Sequence, residues 1–342
     1  MEEIKAKQAS ISIRYSRSFF LFLFLNIYFI CTINVAENKI LLFLIADKED
    51  LMVEDWIANA YEGMSRRQFL ARMSAAGASL AGFAIAATPV AGEIITTPSS
   101  GLVTADGKVP SGDFQIPIYE ARPATAAKYP VVLVIPEVFG MHEHIKDIAR
   151  RFAKEGFLSI TFEPYAREGG VLHLPDIESV RKVVTPIPDV RVMGDLDALV
   201  AYAKQHPAGR ADRIGVTGFC RGGMYTLLFA AHNREVKAAV AWYGQLRPDK
   251  MPGVRTVGPL DIAAQINCPV LGLYGEEDLG IPVADVKAME AALKAAGKTA
   301  EFVLYPGAPH AFFADYRPSY RPEAAKDAWG RCVAWFNKYL KR

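Results

Sequence analysis

The chain has 342 residues, of which 39 are Lys or Arg, 37 are Asp or Glu and 51% are hydrophobic. Its formal charge of +2 argues against a general nucleic-acid binder, because such a protein carries a basic face or run. The four cysteines are too few for a disulfide scaffold in a chain of this length, and none lies in a C-x-x-C pair. We therefore expect neither a nucleic-acid partner nor a metal ion.

The first 91 residues are typical of targeting sequence rather than of a folded domain. Residues 19–33 (FFLFLFLNIYFICTI) are almost entirely apolar, as in a signal peptide, and fall short of the roughly 20 residues of a transmembrane helix. A shorter apolar run covers residues 40–46. Residues 65–70 (SRRQFL) precede an uncharged stretch of small residues, 73–87, and this pattern resembles a twin-arginine export signal. The resemblance implies export to the periplasm by the twin-arginine machinery.

The position of the arginine pair bears on where the protein begins. A twin-arginine signal works near an N-terminus, and initiation at Met52 would place Arg66 and Arg67 there. We therefore interpret residues 1–51 as an over-extension of the reading frame, with a membrane anchor at residues 19–33 as the alternative. The predicted order is then a signal over residues 52–91, a linker or extended lead-in over residues 92–112, and a folded domain over residues 113–342. An uncleaved signal would tether the protein to the membrane.

From residue 113 onward, short apolar runs alternate with amphipathic segments. Strands are predicted over residues 114–120, 131–135, 157–162, 213–217, 236–243, 269–274 and 301–305, and helices over residues 143–155, 192–204, 224–231, 284–296 and 322–340. Residues 163–190 are predicted to be irregular. This alternation predicts an α/β fold with a mostly parallel central sheet and helices on both faces. No G-x-G-x-x-G follows the first strand, so we expect no nucleotide cofactor.

The most informative segment is residues 218–223 (GFCRGG), between a predicted strand and a predicted helix. Cysteine stands where the G-x-S-x-G nucleophile elbow carries serine. A nucleophile on so sharp a turn needs small residues two before and two after it, which Gly218 and Gly222 supply. The positive end of the following helix favours a thiolate on Cys220. A buried structural cysteine is the ordinary alternative, and it describes Cys268 and Cys332 better than Cys220.

An elbow nucleophile takes its acid and its histidine from later in the chain, in that order. One predicted strand ends in Glu276, Glu277 and Asp278, and Asp278 is preferred because of its position before an Ile-Pro pair. The last predicted strand is followed by His310, and no other of the six histidines stands in such a place. The sequence therefore predicts a triad of Cys220, Asp278 and His310, with Glu276 and Glu277 as rivals of Asp278.

Residues 113–341 resemble the dienelactone hydrolase family, the carboxymethylenebutenolidases, of the α/β-hydrolase superfamily. Four motifs carry the resemblance: residues 135–140 (IPEVFG), 218–223 (GFCRGG), 275–282 (GEEDLGIP) and 310–312 (HAF). The resemblance implies an α/β-hydrolase fold and a cysteine-dependent hydrolase of a lactone or carboxylic ester. The partner so implied is a small-molecule substrate.

The resemblance also implies a role for each site residue. Cys220 attacks the carbonyl carbon, His310 takes and returns the proton, and Asp278 orients the imidazole. The backbone N–H groups of Val138 and Arg221 form the oxyanion hole.

Glu137 comes directly after a predicted buried strand. A carboxylate at the end of a central strand is most often solvated or ion-paired. The resemblance implies instead that Glu137 contacts the resting thiol, and that it holds or accepts the thiol proton until substrate displaces it.

The chain departs from the family at the positions that bind a substrate carboxylate. Well-studied members carry a serine directly after the histidine and an arginine four residues after it, and here those positions are Ala311 and Ala314. Arg317 and Arg321 are the candidate replacements, and Arg181 and Arg191 of the irregular segment are further candidates. Hydrolysis of an ester or lactone is therefore better supported than dienelactone as the substrate.

Two other functions are compatible with the sequence. One is an exported esterase or thioesterase that acts on another acyl substrate. The other is a non-catalytic binding protein with the same fold, which the loss of a triad residue would indicate. All three triad positions are occupied, so the sequence favours an enzyme.

Overall fold

The computed structural model describes residues 28–34, 39–45 and 95–341. The first two ranges are strands β1 (Tyr28–Asn34) and β2 (Lys39–Ile45), which pair antiparallel in a unit of their own. The predicted signal over residues 52–91 lies outside the described residues, and the predicted over-extension is described only in these two strands. In the described part of the chain, no helix has both the length and the apolar composition needed to cross a bilayer.

The second unit contains an eight-stranded sheet and its helices. Its strands are β3 (Leu102–Ser111), β4 (Phe114–Pro123), β5 (Tyr129–Ile135), β6 (Leu158–Phe162), β7 (Gly209–Phe219), β8 (Val236–Trp242), β9 (Val270–Gly275) and β10 (Ala300–Tyr305). Its α-helices are α1 (Glu143–Lys154), α2 (Ile177–Val184), α3 (Asp189–Gln205), α4 (Arg221–His232), α5 (Val283–Ala295) and α6 (Pro322–Leu340). Two short 3-10 helices cover Ala166–Glu168 and Pro259–Gln265.

The strand order across the sheet is β3-β4-β6-β5-β7-β8-β9-β10. Strands β5 to β10 run parallel, whereas β4 is antiparallel to both of its neighbours, β3 and β6. Every residue of β5 is buried, as expected of a central strand covered on both faces. The predicted α/β fold with a mostly parallel sheet is therefore confirmed, and its strand order is that of an α/β-hydrolase.

Helices cover both faces of the sheet, as two glycines of β7 illustrate. Residues three apart in a strand point to opposite faces. A Cβ on Gly215 would lie 2.7 Å from the ring of Phe336 in α6, whereas a Cβ on Gly218 would lie 2.3 Å from the Gly222 carbonyl oxygen in α4. Helices α6 and α4 therefore pack on opposite faces. Phe152 of α1 packs edge-on against Phe336, with ring centres 5.8 Å apart, so α1 shares the face of α6.

Two segments differ from their predictions. Residues 102–111, assigned by composition to a linker or an extended lead-in, form β3 and pair with β4 along their whole length. Most of β3 is exposed, so it lacks the apolar run that identifies a strand in a sequence. Residues 163–190, predicted to be irregular, contain the first 3-10 helix and α2. Asp176 caps α2 by accepting the Ser179 N–H at 2.7 Å.

The parallel strands bring five polar or reactive side chains to one edge of the sheet. Residues that follow parallel strands meet at the carboxyl edge, where open α/β sheets bind their ligands. In sheet order, Glu137 follows β5, Cys220 follows β7, Tyr243 follows β8, Asp278 follows β9 and His310 follows β10. The candidate functional residues of the sequence therefore converge because of the strand order.

Candidate active site

Cys220 occupies a sharp turn between the end of β7 at Phe219 and the start of α4 at Arg221. Its φ of 55° and ψ of −117° form a backbone conformation that residues other than glycine rarely adopt. The Cys220 N–H donates to the Trp242 carbonyl oxygen at 3.0 Å, which ties the turn to β8. The thiol thus stands at the N-terminus of a helix of 12 residues, as in a nucleophile elbow.

Glycine is required around Cys220 because the neighbouring backbone leaves no room for a Cβ atom. A Cβ on Gly218 would lie 2.3 Å from the Gly222 carbonyl oxygen, and a Cβ on Gly222 would lie 2.3 Å from the Ile135 carbonyl oxygen. A Cβ on Gly223 would lie 2.4 Å from the Trp242 carbonyl oxygen. Since these neighbours are backbone atoms, no side-chain rotation relieves the contacts. The elbow therefore fits between β5 and β8 only with glycine at these positions.

Backbone strain is concentrated around the same point. Among the described residues, the non-glycine residues with positive φ are Cys220 at 55°, Tyr243 at 37° and Ala311 at 59°. Cys220 and Ala311 line one cavity, and the Tyr243 ring packs against His310 with ring centres 5.2 Å apart. Unfavourable backbone conformations persist where the surrounding structure holds them, and they cluster at active sites.

Asp278 and His310 are joined across the ends of β9 and β10. Asp278 Oδ2 lies 2.6 Å from His310 Nδ1, and Asp278 Oδ1 accepts the Gly280 N–H at 2.9 Å. Glu276 and Glu277 are exposed, so Asp278 is the one of the three candidate acids that contacts the histidine. A carboxylate at Nδ1 fixes the proton there and leaves Nε2 to act on a neighbouring group.

The pKa of His310 is raised well above its ordinary value. Burial of the imidazole lowers this pKa, but the charge of Asp278 and the proximity of Cys220 raise it by more. The site therefore stabilises a protonated imidazole beside the sulfur.

Glu137 lies beyond the end of β5 and is only 2% exposed. Its Oε2 accepts a hydrogen bond from the Tyr316 hydroxyl at 2.6 Å, and it lies 3.4 Å from both Arg317 Nη2 and His142 Nε2. Burial raises the carboxyl pKa, yet Arg317 and His142 hold the pKa of Glu137 well below its usual range. Glu137 is therefore an ionised carboxylate within a buried cluster of charged and polar groups.

The charged surroundings of Glu137 bear on its predicted role toward the thiol. The resemblance implies that Glu137 holds or accepts the thiol proton, but a carboxylate with so low a pKa is a weak base. Glu137 and Cys220 line the same cavity, while Oε2 is engaged by Tyr316 and Arg317. Glu137 is therefore a buried negative charge, paired with Arg317, in the cavity that also contains Cys220.

One small cavity brings the predicted site residues together. It is lined by Glu137, Val138, Phe139, Cys220, His310, Ala311 and Arg317. Arg221 follows Cys220 as the first residue of α4, where backbone N–H groups have no partner within the helix. Of the predicted oxyanion donors, Val138 thus lines the cavity with Cys220, and Arg221 is the next residue after Cys220.

Of the four candidate substrate-binding arginines, the cavity includes Arg317 alone. Arg317 is 6% exposed, and its guanidinium lies 4.6 Å from the centre of the Phe139 ring. Arg321 donates to three backbone carbonyl groups of neighbouring segments, and Arg191 pairs with an acidic residue of the first 3-10 helix. Arg181 lies in the last turn of α2. This cavity is not lined by Arg321, Arg191 or Arg181.

Three site residues were not singled out from the sequence. Tyr316 and His142 contact Glu137, and Tyr243 packs on His310. Tyr243 has a detectable signal, because it is the last residue of the predicted strand over residues 236–243, which comes next in the chain after the strand of the nucleophile. Tyr316 has none, because it lies in an irregular segment 179 residues beyond Glu137.

The strand order, the elbow and the chain order of cysteine, aspartate and histidine define the class of α/β-hydrolases. Residues 116–340 match the model of the Dienelactone hydrolase family. This match covers more than half of the chain, and the chain therefore belongs to the dienelactone hydrolase family. The family predicted from the four sequence motifs is confirmed.

Individual relatives agree with this assignment. A Methylorubrum extorquens protein named "Putative carboxymethylenebutenolidase" is 51% identical over 275 residues, which cover 79% of this chain and 94% of the relative. A Bradyrhizobium protein named "Probable 2-oxo-3-(5-oxofuran-2-ylidene)propanoate lactonase" is 35% identical over 225 residues, 65% of this chain and 89% of the relative. A crystal structure described as "Putative Dienelactone Hydrolase" from Klebsiella pneumoniae has 48% identity and a TM-score of 0.67, covering 70% of this chain and 99% of its own.

Proposed function

We propose that this protein hydrolyses a lactone or carboxylic ester of small size, with Cys220 as the nucleophile. The observation that carries the proposal is the placement of Cys220 on a strained turn beside His310, whose imidazole is held by Asp278 at 2.6 Å. This is the geometry that activates a nucleophile through a base and an orienting acid.

The residues support a two-stage acyl transfer. The Cys220 sulfur attacks the carbonyl carbon, and the thiol proton resides on His310 Nε2. The oxyanion accepts hydrogen bonds from the N–H groups of Val138 and Arg221. The C–O bond then breaks, and His310 gives its proton to the leaving alkoxide. In a lactone this oxygen stays attached to the acyl chain.

The second stage releases the acid. A water molecule gives a proton to His310 as its oxygen attacks the thioester carbon, and the C–S bond breaks. This step leaves Cys220 as a thiolate beside the protonated His310. Asp278 serves both stages because it holds Nδ1 and stabilises the imidazolium between them.

The relatives support lactones and esters as the substrate class. Their names refer to carboxymethylenebutenolidase and lactonase activities. Both activities open an ester bond, so one elbow and one oxyanion hole suffice for either substrate. An exported esterase or thioesterase with another acyl substrate would use the same residues.

The test is hydrolysis by the purified protein of dienelactone and of p-nitrophenyl acetate. We expect turnover of at least one substrate and a thioester on Cys220, detected by mass spectrometry after acid quenching. The absence of turnover on lactones, oxygen esters and thioesters alike would overturn the proposal. Retention of full activity by Cys220→Ala would overturn the assignment of the nucleophile.

We also propose that the protein is exported through the twin-arginine machinery, as residues 65–70 indicate. Conversion of Arg66 and Arg67 to lysine should retain the protein in the cytoplasm of the host cell. The matched control converts Arg14 and Arg17, which precede the other apolar run, and should leave export intact. Normal periplasmic levels of the Arg66→Lys, Arg67→Lys variant would overturn this route.

A further inference from the structure

A second and larger cavity adjoins the one that contains Cys220. Its volume is about 250 Å³, and it shares Phe139 and Arg317 with the smaller cavity. A cavity of about 150 Å³ lined by apolar side chains accommodates benzene. The larger cavity therefore has room for an aromatic ring with a short substituent, or for an aliphatic chain of similar volume.

Most of the wall of this cavity is apolar. The apolar side chains that line it include Phe139, Leu172, Leu174, Ile177 and Val180. Ile177 and Val180 lie three residues apart on α2 and so present one face of that helix. Leu172 is 61% exposed. A concave, mostly apolar cavity with a few polar groups is typical of a ligand-binding site.

The charged groups at this cavity do not favour a carboxylate ligand. The basic residues that line it are His142 and Arg317, and both lie 3.4 Å from Glu137 Oε2. The acidic residue that lines it is Asp176, which is exposed and caps α2. An anionic group would therefore meet Asp176 at the cavity and would compete with Glu137 for Arg317.

From these observations we propose that the larger cavity binds an uncharged, apolar acyl or aryl group of the substrate, and that Val180 and Leu174 set the size of that group. The inference rests on the proposed function and specifies its substrate class. The scissile carbonyl lies at Cys220, and the apolar group extends past Phe139 toward α2. The protein would then prefer apolar esters or lactones over substrates that carry a carboxylate.

The experiment compares kcat/KM for p-nitrophenyl acetate, butyrate, hexanoate, benzoate and hemisuccinate with the wild-type protein. We expect a rise of about threefold to fourfold for each methylene buried, and a hemisuccinate value at least tenfold below that for butyrate. A flat series, or a preference for hemisuccinate or dienelactone, would overturn the inference.

Variants of the cavity wall locate the binding site. Val180→Phe should reduce kcat/KM for hexanoate and benzoate at least tenfold more than it reduces kcat/KM for acetate. Leu174→Ala should move the preference to longer chains. The matched control is Val190→Phe, since Val190 is 76% exposed on α3 and lines neither cavity. Equal losses on acetate and hexanoate in a Val180→Phe protein with unchanged circular dichroism and Tm would contradict the placement.

A binding measurement separates this inference from the proposed function. In titration calorimetry, the Cys220→Ala protein should bind 2-octanone with a Kd at least tenfold below that for 2-butanone. Addition of Val180→Phe to this variant should remove the difference in Kd. Such binding without any ester turnover would overturn the proposed function and retain this inference. Equal binding of the two ketones would overturn this inference, whether or not esters are hydrolysed.

Discussion

Asp278 Oδ2 lies 2.6 Å from His310 Nδ1, and both side chains are largely shielded from water. The two residues come from the ends of adjacent parallel strands, β9 and β10, so the sheet itself sets their separation. This contact determines which imidazole nitrogen carries a fixed proton and which one serves Cys220.

The first prediction concerns the nucleophile and the base. Cys220→Ala and His310→Ala should each reduce kcat on a hydrolysed ester by roughly 10³-fold or more, because members of one catalytic unit fail together. The measurement is steady-state hydrolysis on proteins with matched circular dichroism. The control is Cys268→Ala, which removes a free thiol that is buried outside the site and should keep activity within twofold. A similar loss of kcat in Cys268→Ala would show that the losses in the other two variants arise from a change in folding.

The second prediction concerns Asp278→Asn. Because Asp278 orients His310 and does not react, the loss of kcat in Asp278→Asn should be roughly a hundredfold smaller than the loss in His310→Ala. This change should also lower the pKa of His310, since the charge of Asp278 would no longer oppose the effect of burial. An unchanged pH profile of kcat/KM in Asp278→Asn would contradict this account.

The same pair predicts a pH dependence of stability. A pKa raised in the folded state contributes stability that is complete below the ordinary value of 6.5 and is lost as pH rises through the folded pKa. The difference in the free energy of unfolding between wild type and Asp278→Asn should therefore be largest near pH 6 and shrink at higher pH. Urea denaturation at pH 6, 8 and 9.5 measures it, and a difference that grows with pH would have the wrong sign.

The third prediction concerns Glu137. Glu137→Gln leaves Arg317 buried without its anionic partner, so the free energy of unfolding at pH 7 should fall by about 3 kcal/mol. The lowered pKa of Glu137 contributes stability above its ordinary value of 4.5, and this is lost as pH falls through the folded pKa. The deficit of the variant should therefore diminish below pH 4.5. The control is Glu143→Gln. The Glu143 side chain is 59% exposed, so its change should lower the free energy of unfolding by less than about 1 kcal/mol.

The Glu137 variant also tests the charge environment of the sulfur. Removal of the carboxylate leaves the positive charge of Arg317 uncompensated in the cavity that contains Cys220, which favours the thiolate. Cys220 should then react faster with iodoacetamide, a neutral reagent, while ester turnover falls. Alkylation no faster than in wild type would show that Glu137 does not restrain the thiol.

The fourth prediction concerns the elbow. Gly222→Ala places a Cβ 2.3 Å from the Ile135 carbonyl oxygen and should destabilise the protein by about 2 kcal/mol or more. Gly194→Ala is the matched control, because that helical glycine has no atom within 4 Å of an added Cβ. It should stabilise the protein by up to about 1 kcal/mol. Thermal unfolding of the two variants gives opposite shifts in Tm if packing at the elbow is the cause.

The class of fold and the identity of the triad candidates could be predicted from the amino-acid sequence. Both rest on local patterns: apolar runs mark the buried strands, and the glycines around Cys220 mark a turn that admits no other residue. The chain order of Cys220, Asp278 and His310 then follows from the motif. The strand β3 escaped detection because its exposed residues form no apolar run, and α2 because it is a short helix within a proline-rich segment.

The contacts, ion pairs and cavities around these residues are visible only in the tertiary structure. The sequence only preferred Asp278 over Glu276 and Glu277, whereas the packing of β9 beside β10 brings Asp278 within 2.6 Å of His310 Nδ1. The ion pair of Glu137 joins residues 180 apart in sequence, a separation over which no periodicity carries information. The larger cavity, which adjoins the one that contains Cys220, likewise forms only when α2 packs near Phe139 and Arg317. Charge compensation and cavity shape depend on distances between remote segments, and these are properties of the folded chain.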